Sequence, residues 1–394
     1  MNNMIKNPKK RSSVKAIFIA AFVVIFMAYI IIYPEKSVDF VIKALNLCYL
    51  IIIPAIFPFL IISQMFFNSP LFNLLGKLLN KPAKFLFNIQ GEYINAFLLG
   101  SIAGFPLGAK SVSKIYAANP HTKNEAERTL AFCNNCSAPF VITAAGVSVF
   151  GSAVIGGLLF CLQLISALLT GIIIRLLFKN RTDITAKSQR KRSGDENKAD
   201  LTSIVSEAVN GILNICGIII FFYITINISL EIFNTLPFIA DNYVLLNGVK
   251  IAVSGLLELS SGIYSLVHIN LPAAQKLIIA SAILAWSGVS VHCQIIYVLK
   301  DMDLSLKPYF TGKIIHVIIS VVLTKVLFSF DDISVMCQSI YSPSMTFDSG
   351  GIYISNFILT GIASGITAFI IGMMVGFGKH KTNIKPKTDK NIII

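Results

Sequence analysis

Long apolar stretches alternate with short polar ones along this chain, and their length predicts helices that cross a membrane. A helix needs about 20 apolar residues to cross a hydrocarbon core about 30 Å thick. Eight stretches reach this length: Ala16–Tyr33, Val38–Phe67, Thr129–Phe150, Ala153–Phe178, Val205–Phe233, Ala273–Leu299, Thr311–Phe330 and Tyr353–Phe377. Two more, Ile94–Tyr116 and Leu246–Val267, are long enough to enter the membrane but are interrupted by glycine, proline or polar residues.

The distribution of basic residues predicts which side of the membrane each loop occupies. Lys and Arg favour the cytoplasmic side, and they are concentrated at the N-terminus, around Lys77–Lys84, in the segment 179–200 and in the tail from Lys379. The segments 234–247 and 331–352 contain neither. Eight crossings with both termini in the cytoplasm fit this pattern only if each interrupted stretch enters the membrane and returns to the same side. These stretches are therefore predicted to be re-entrant hairpins, which are tolerated where they are buried in protein or line a wet cavity.

The composition supports a membrane protein and argues against other classes. Hydrophobic residues make up 55% of the 394 residues and charged residues only 13%, whereas about a quarter of a soluble domain is charged. The net charge of +14 follows the cytoplasmic segments, and no basic patch interleaved with aromatics indicates nucleic acid as a partner. Cys133 and Cys136 form a CxxC pair, but a zinc site would need a second pair. No metal or cofactor is predicted.

Several landmarks recur at nearly one offset and predict an internal repeat. The segments GSIAGFPLG from Gly100 and GLLELSSG from Gly255 are about 155 positions apart, and Ala131-Phe132-Cys133 recurs about 154 positions later as Ala285-Trp286-Ser287. Each half would contain a span, a hairpin, a broken span and a second span. Because the two hairpins would enter from opposite sides, the halves would form the inverted repeat of secondary transporters.

The predicted fold class is an all-α polytopic membrane protein with about eight transmembrane helices and two re-entrant hairpins. The first span lacks a small-residue cleavage site after it, so an uncleaved anchor is expected. The predicted segments are a basic N-terminus (1–15), an anchor helix (16–37), the first repeat (38–178), a cytoplasmic linker (179–204), the second repeat (205–330), an outer loop (331–352), a last transmembrane helix (353–378) and a basic tail (379–394).

The stretch AFCNNCSAPF, Ala131–Phe140, places polar residues in the middle of a predicted span. Unwinding at Asn134–Pro139 would free backbone groups that hydrocarbon cannot satisfy. The side chains of Asn134, Asn135 and Ser137, or a polar ligand, could satisfy them, and the following half-helix would present a partly positive N-terminus to an anion. A kinked helix whose asparagines bond to neighbouring helices is the alternative. The charged residues just before it, Glu125 to Arg128, are expected at the interfacial start of a helix.

The first interrupted stretch has a glycine-rich tip that ends in a lysine. In GFPLGAK, Gly104 and Gly108 flank Pro106 and permit a tight reversal and close backbone approach. Lys110 could meet a carboxylate of a substrate. Alternatively, the long side chain of Lys110 could extend to the cytoplasmic interface of the membrane.

The second half contributes further polar candidates. Glu258 lies inside an apolar stretch, where a carboxylate is costly and by default functional, and Ser260 and Ser261 add hydroxyls. An ion pair of Glu258 with Lys110 or Lys250 is the structural alternative. Further along, Ser287, Ser290 and His292 form a polar group in which the histidine could take part in proton coupling or bond to a neighbouring carbonyl.

With these residues in view, the chain resembles the sporulation integral membrane proteins of the YlbJ (SpoVV) family. That family carries the nucleoside-recognition Gate domain and is distantly similar to concentrative nucleoside transporters. The resemblance rests on GSIAGFPLGAK, on the block Glu125–Phe140, and on GLLELSSG with SGVSVH, and it extends from Ala16 to Gly378. It implies transport of dipicolinic acid across the outer forespore membrane of an endospore-forming bacterium. The cell membrane is the other expected location.

The resemblance also implies a substrate site. Carried over by position, the contacts would come from the Asn134–Ser137 group and from Glu258 with its two neighbouring serines. No Asp lies near the asparagines to hold a sodium ion, so coupling to sodium is not implied.

Three classes of function stay open at this point. The first is a transporter of a small polar organic anion such as dipicolinate, or of a nucleoside-like solute, with the lipid bilayer and a second copy of the chain as further partners to consider. The second is an intramembrane enzyme, for which Glu258 and His292 are the only pair and no HExxH or GxSxG motif is present; no enzymatic activity is predicted. The third is a structural component of a spore-envelope complex.

Overall fold

The computed structural model describes residues 10–67, 69–178, 200–267 and 269–328, and the regular elements of these residues are all helical. The predicted outer loop 331–352, the last helix 353–378, the basic tail, most of the linker and the first nine residues lie outside the described residues. The helices, numbered in chain order, are α1 Lys10–Ile32, α2 Pro34–Leu47, α3 Ile53–Phe67, α4 Pro70–Leu78, α5 Asn80–Phe87, α6 Gly91–Ile102, α7 Leu107–Ala118, α8 Lys123–Leu130, α9 Ala138–Phe140, α10 Ser148–Phe150, α11 Ala153–Leu177, α12 Leu201–Asn234, α13 Pro237–Ala240, α14 Tyr243–Leu257, α15 Leu259–Ser265, α16 Ala273–Trp286, α17 Gly288–Val298 and α18 Lys307–Leu327.

Short helical segments of other types join some of these helices. Residues Cys48–Ile52 form a π-helix between α2 and α3, Val141–Val147 form another between α9 and α10, and Pro120–Thr122 form a 3₁₀ helix before α8. Single-turn π-helical segments frequently occur at functional sites, and the segment Val141–Val147 closely follows the predicted break.

The all-helical membrane fold predicted from the sequence is confirmed, but the number of spans differs. Four helices of the described residues are long and apolar enough to cross a membrane: α11, α12, the α16–α17 pair and α18. Two bent pairs could raise this number to six, namely α1 with α2, bent by 104°, and α3 with α4, bent by 74°. The predicted span Thr129–Phe150 is not one helix, because α8 ends at Leu130 and the next apolar helix runs only from Ala138 to Phe150.

The same order of elements occurs twice in the described residues. Helices α6 and α7 form a hairpin, followed by the interrupted pair α8 and α9–α10 and then the long helix α11. Helices α14 and α15 form the second hairpin, followed by the interrupted pair α16 and α17 and the long helix α18. The long helices begin at Ala153 and Lys307, close to the offset seen in the sequence. The inverted relation of the two halves, and the re-entrance of the hairpins, remain predictions.

Glycines allow the arms of each hairpin to touch. A Cβ atom on Gly100 would lie 3.0 Å from the Cα of Gly108, and one on Gly262 would lie 2.5 Å from the Cα of Gly255. The same glycines allow the hairpins to pack on the interrupted helices. A Cβ atom on Gly100 would lie 1.9 Å from the carbonyl oxygen of Cys133, a distance that no side chain can occupy.

The long helices pack on one another and on the shorter ones. Helix α18 packs against α11 and α16, and α12 packs against α2 and α3. Large apolar side chains are exposed along the outside, for example Ile31 on α1 at 73% and Leu213 on α12 at 62%. Exposed apolar surface of this kind is expected where a helix faces lipid.

Candidate substrate site at the helix breaks

The first break lies between α8 and α9 and consists of the non-helical residues 131–137. Ser137 begins the next helix, and its Oγ accepts a hydrogen bond from the backbone N–H of Phe140 at 3.4 Å. The unwound segment, residues 131–137, thus begins and ends earlier than the predicted segment Asn134–Pro139. Pro139 is in the first helical turn, where a residue without an N–H is well tolerated.

The second break is a sharper turn between α16 and α17. Ser287 has φ of 74° and Gly288 has φ of 82°, so two consecutive residues adopt the left-handed conformation. A glycine is well suited to this conformation, but a serine rarely adopts it. Ser287 is fully buried, and its Oγ donates to the carbonyl oxygen of Leu284 at 3.2 Å.

A single buried lysine joins the two breaks. The Nζ of Lys313 on α18 donates to the backbone oxygen of Asn134 at 2.7 Å, to the backbone oxygen of Ala285 at 3.2 Å and to the Oγ of Ser287 at 3.1 Å. Lys313 is 1% exposed. An ammonium group has three donors, and each of them has an acceptor here.

Lys313 is not among the residues predicted for the site. The available signal was a lysine inside an apolar stretch, which is costly in a membrane and usually functional. However, it lies only two residues after the predicted start of its span, Thr311–Phe330, where a lysine commonly reaches the interface. Only the three-dimensional arrangement shows that it points into the protein.

The asparagines of the first break are buried and partly satisfied. The Nδ2 of Asn134 donates to the carbonyl oxygen of Leu130 at 3.1 Å, and the Nδ2 of Asn135 donates to Ser101 Oγ and to the carbonyl oxygen of Phe132, both at 3.0 Å. The Oδ1 atoms of both asparagines are buried and accept no hydrogen bond from the described residues. A buried acceptor without a donor costs about 1–3 kcal/mol, so each oxygen is a position where water or a polar solute would bind favourably.

The tip of the first hairpin packs on this break. Gly104 has φ of 84°, and a Cβ atom on it would lie 3.0 Å from the Cβ of Ser137. Pro106, joined to Phe105 by a cis peptide bond, precedes the first residue of α7. A Cβ atom on Gly108 would lie 2.3 Å from the oxygen of Cys133. The structure thus places Gly104 and Gly108 beside the first break, with Pro106 between them in the chain.

Lys110 is not brought to the break. Its Nζ lies 2.7 Å from the Oε2 of Glu207 on α12, and the two side chains are 36% and 49% exposed. Lys110 also lines a small cavity of about 10 Å³, together with Ser63 and Gln64 of α3, Leu99 of α6, and Leu107, Ser111 and Lys114 of α7. This volume is at the lower limit for one water molecule. The lysine therefore links the first hairpin to α12.

Glu258 lies at the turn of the second hairpin and caps α15. Its Oε1 accepts from the backbone N–H of Ser260 at 2.9 Å, and its Oε2 accepts from that of Ser261 at 2.6 Å. Glu258 is 2% exposed and the two serines are 7% exposed. A carboxylate at a helix N-terminus is stabilised by the free N–H groups and the helix dipole. The predicted alternative of an ion pair with Lys110 is wrong, because Lys110 pairs with Glu207.

The turn at Glu258 packs on the second break, as Gly104 packs on the first. A Cβ atom on Gly288 would lie 3.0 Å from the Cα of Glu258 and from the backbone nitrogen of Leu259. The turn Ser287-Gly288 therefore touches the backbone of Glu258 through Gly288 and the ammonium of Lys313 through Ser287. Each hairpin covers the break of its own half.

The remaining predicted residues lie on α17. His292 is 4% exposed, its Nδ1 lies 2.6 Å from the hydroxyl oxygen of Tyr309, and its ring contacts that of Trp286 with centroids 4.5 Å apart. Its Nε2 has no partner among the described residues. Ser290 is 1% exposed. Both residues are buried, two and four positions after Gly288 of the second break.

A second polar group, whose residues were not predicted from the sequence, connects the long helices. The Nε2 of His316 donates to the carbonyl oxygen of Gln163 at 3.2 Å, and the Nε2 of Gln163 donates to Ser320 Oγ at 2.9 Å and to the carbonyl oxygen of Ser281 at 3.1 Å. All four residues are nearly fully buried. These contacts join α18, α11 and α16. Polar contacts of this kind hold membrane helices together.

The charged block at the start of α8 is more buried than predicted. Glu125 and Arg128 are 7% and 4% exposed. Glu125 Oε2 accepts from the backbone N–H of Gln90 at 2.6 Å, and Arg128 Nη2 donates to the carbonyl oxygen of Asn88 at 2.8 Å. On the surface nearby, a hydrogen bond with Asp303 raises the pKa of Lys123. The block therefore fixes α8, and with it the first break, to the chain between α5 and α6.

These features define an all-helical multi-pass membrane protein whose interrupted helices meet around buried ionisable groups. The chain is similar to the sporulation integral membrane protein YlbJ of Bacillus subtilis (strain 168), with 24% identity over 343 residues that cover 80% of this chain and 83% of that protein. This similarity confirms the resemblance to the YlbJ family. No family model matches the chain, and no solved structure matches it. The Gate domain and the likeness to concentrative nucleoside transporters remain predictions.

Proposed function

We propose that this protein transports a small polar organic anion across a membrane, and that the anion is dipicolinate. The observation that carries the proposal is the meeting of two interrupted helices at Lys313, whose Nζ binds Asn134 of one break and Ala285 and Ser287 of the other. Interrupted helices near the middle of the membrane are typical of the substrate sites of secondary transporters.

The half-helices that leave the breaks suit a negatively charged solute. The helix Ala138–Phe150 begins at the first break and α17 begins at the second. The N-terminus of each carries a partial positive charge from its free N–H groups. Dipicolinate is a small planar dianion, so two such termini and the ammonium of Lys313 would balance its charge. The Oδ1 atoms of Asn134 and Asn135 would accept hydrogen bonds from water held with it.

The close packing of the hairpins indicates a closed arrangement of this site. Gly104 rests on Ser137, and the backbone of Glu258 rests on Gly288. Opening of either contact would expose the break beneath it to water and solute. Movement of a hairpin away from its break would therefore admit the solute from one side, which is the alternating access expected of a transporter.

The name of the relative, a sporulation integral membrane protein, supports a role in endospore formation. A dipicolinate transporter in that process would act at the outer forespore membrane, with both termini in the cytoplasm of the mother cell. This location and orientation belong to the proposal. The cell membrane is the alternative location.

Two other functions predict different outcomes. A nucleoside-like solute would use the same asparagine amides for its base, and it would not need the positive half-helix termini. A structural component of the spore envelope would need the helical scaffold but not the polar side chains of the breaks.

The proposal can be tested in spores of the bacterium that carries this protein. Deletion should give spores with little dipicolinate although the mother cell synthesises it. Complementation with Asn134→Ala/Asn135→Ala should leave the dipicolinate content low at normal protein abundance, whereas Lys325→Ala, at the exposed end of α18, should restore it. Normal dipicolinate content in the deletion strain would refute transport. Full restoration by the asparagine variant would favour the structural component.

A further inference from the structure

The surroundings of Lys313 Nζ have the composition of a cation site. Its acceptors are two backbone carbonyl oxygens and one hydroxyl oxygen, at 2.7, 3.2 and 3.1 Å. One carbonyl belongs to the unwound segment 131–137, and the other belongs to Ala285 in the last turn of α16. In ion-coupled transporters, unwound carbonyls and the C-terminal ends of half-helices coordinate the sodium ion or proton that drives transport.

The ammonium also occupies the position expected of a coupling ion, between the two interrupted helices. It touches both breaks at once, so it stabilises the arrangement in which the two interrupted helices approach each other. The carbonyl end of α16 carries a partial negative charge that favours a cation. On the opposite side of the Ser287-Gly288 turn, Gly288 contacts the backbone of Glu258.

We propose that the ammonium of Lys313 is a covalently attached cation that takes the place of a soluble coupling ion at the meeting point of the two breaks. This inference rests on the proposed function and adds to it a statement about energy coupling. Because the cation is part of the chain, it is present in every cycle and cannot be released with the solute. Transport through the site is therefore independent of sodium.

The experiment uses the full chain in proteoliposomes, with labelled dipicolinate outside and sodium, potassium or choline as the only monovalent cation. Wild-type uptake should be the same in the three media, because a cation that does not bind cannot shift an equilibrium. Lys313→Ala should lower uptake in choline by about a hundredfold or more, because removing one partner of a buried charged group leaves the others unpaired. The Lys313→Ala substitution also leaves a space that a small cation can enter.

Rescue by added cations is the decisive readout. Sodium, ammonium or methylammonium should restore part of the uptake of Lys313→Ala and raise its melting temperature in detergent. Lys313→Met fills the same space with an apolar chain and should respond to none of them. Lys325→Ala, at the exposed end of the same helix, should behave like the wild type.

Several results would overturn the inference. Sodium-dependent uptake by the wild type would show that a soluble ion is required, and this arm does not depend on how any variant folds. Wild-type uptake by Lys313→Ala in choline, or loss that no cation restores in a folded protein, would equally exclude an attached cation. If the wild type takes up no dipicolinate in any medium, the proposed function fails instead, and the melting temperatures of Lys313→Ala still decide whether the site binds a cation.

Discussion

The Nζ of Lys313 lies 2.7 Å from the backbone oxygen of Asn134, a residue 179 positions away in the chain. This hydrogen bond joins the long helix of the second half to the unwound segment of the first. The same nitrogen binds the break of its own half through Ser287. The centre of the protein is thus held together by a charged side chain, in a region where charge is costly unless it is fully paired.

Substitution of Gly108 tests the close packing of the first hairpin on its break. A Cβ atom there would lie 2.3 Å from the carbonyl oxygen of Cys133, so Gly108→Ala must displace either the hairpin or the break. We expect loss of uptake and a lower melting temperature. Gly217→Ala on α12 is the matched control, because a Cβ atom there meets nothing within 4 Å. The control should be neutral or stabilised by up to about 1 kcal/mol, since alanine favours a helix more than glycine does. Equal behaviour of the two variants would contradict the packing.

Substitution of Glu258 tests its role as the cap of α15. Glu258→Gln keeps one acceptor oxygen but turns an NH₂ group toward a backbone N–H, so it should lower the free energy of unfolding by about 1–2 kcal/mol. Glu258→Asp keeps the charge and can still accept from the same N–H groups, because aspartate is a good N-cap. Thermal unfolding in detergent measures both variants. If Gln were as stable as Glu while Asp were not, the capping role would be excluded.

A charge swap tests whether Lys110 serves α12 or the solute. The ion pair with Glu207 predicts that Lys110→Glu and Glu207→Lys each impair uptake and that the double variant recovers it. Because the pair is partly exposed, the effect on stability should stay within about 1 kcal/mol. Dipicolinate uptake is measured for the four proteins in parallel. A double variant as impaired as Lys110→Glu alone would mean that the lysine contacts the solute.

Substitution of Arg128 tests the anchor of α8. Its guanidinium donates to the carbonyl oxygen of Asn88 at 2.8 Å and to that of Phe178 at 3.4 Å. Arg128→Met should leave these partly buried acceptors without the guanidinium donor and lower the free energy of unfolding by about 1–3 kcal/mol. Arg175→Met, near the exposed end of α11, provides a comparison in which a smaller loss is expected. A melting temperature unchanged by Arg128→Met would show that the block Glu125–Arg128 does not hold the break in place.

Local sequence signals predicted the first break. The group of polar residues around Asn134 interrupts an apolar stretch, and a membrane helix tolerates such residues only with a structural reason. A break in the second half was expected only from the repeat, and its position at Ser287 and Gly288 was not predicted. The fold class followed from the length of the apolar stretches. The number of spans did not, because hydropathy cannot distinguish one long span from two helices bent at Tyr33 or separated by residues 131–137.

The contacts that hold the candidate site together could not be predicted. Nothing local to Lys313 shows that its ammonium reaches Asn134, because that contact depends on how two distant helices pack. The direction of Lys110 was open for the same reason, since its partner Glu207 lies 97 positions away. The sequence located the first break, and the tertiary structure was needed to locate the second and to show which residues meet there.

The most direct test of the central claim is uptake of labelled dipicolinate and labelled uridine into proteoliposomes containing the full chain. The account predicts uptake of dipicolinate that exceeds both uridine uptake and the signal of protein-free liposomes, and that falls by about tenfold or more in Asn134→Ala/Asn135→Ala as buried polar contacts are lost. Dipicolinate uptake no greater than that of protein-free liposomes, in a preparation with a cooperative melting transition, would contradict it.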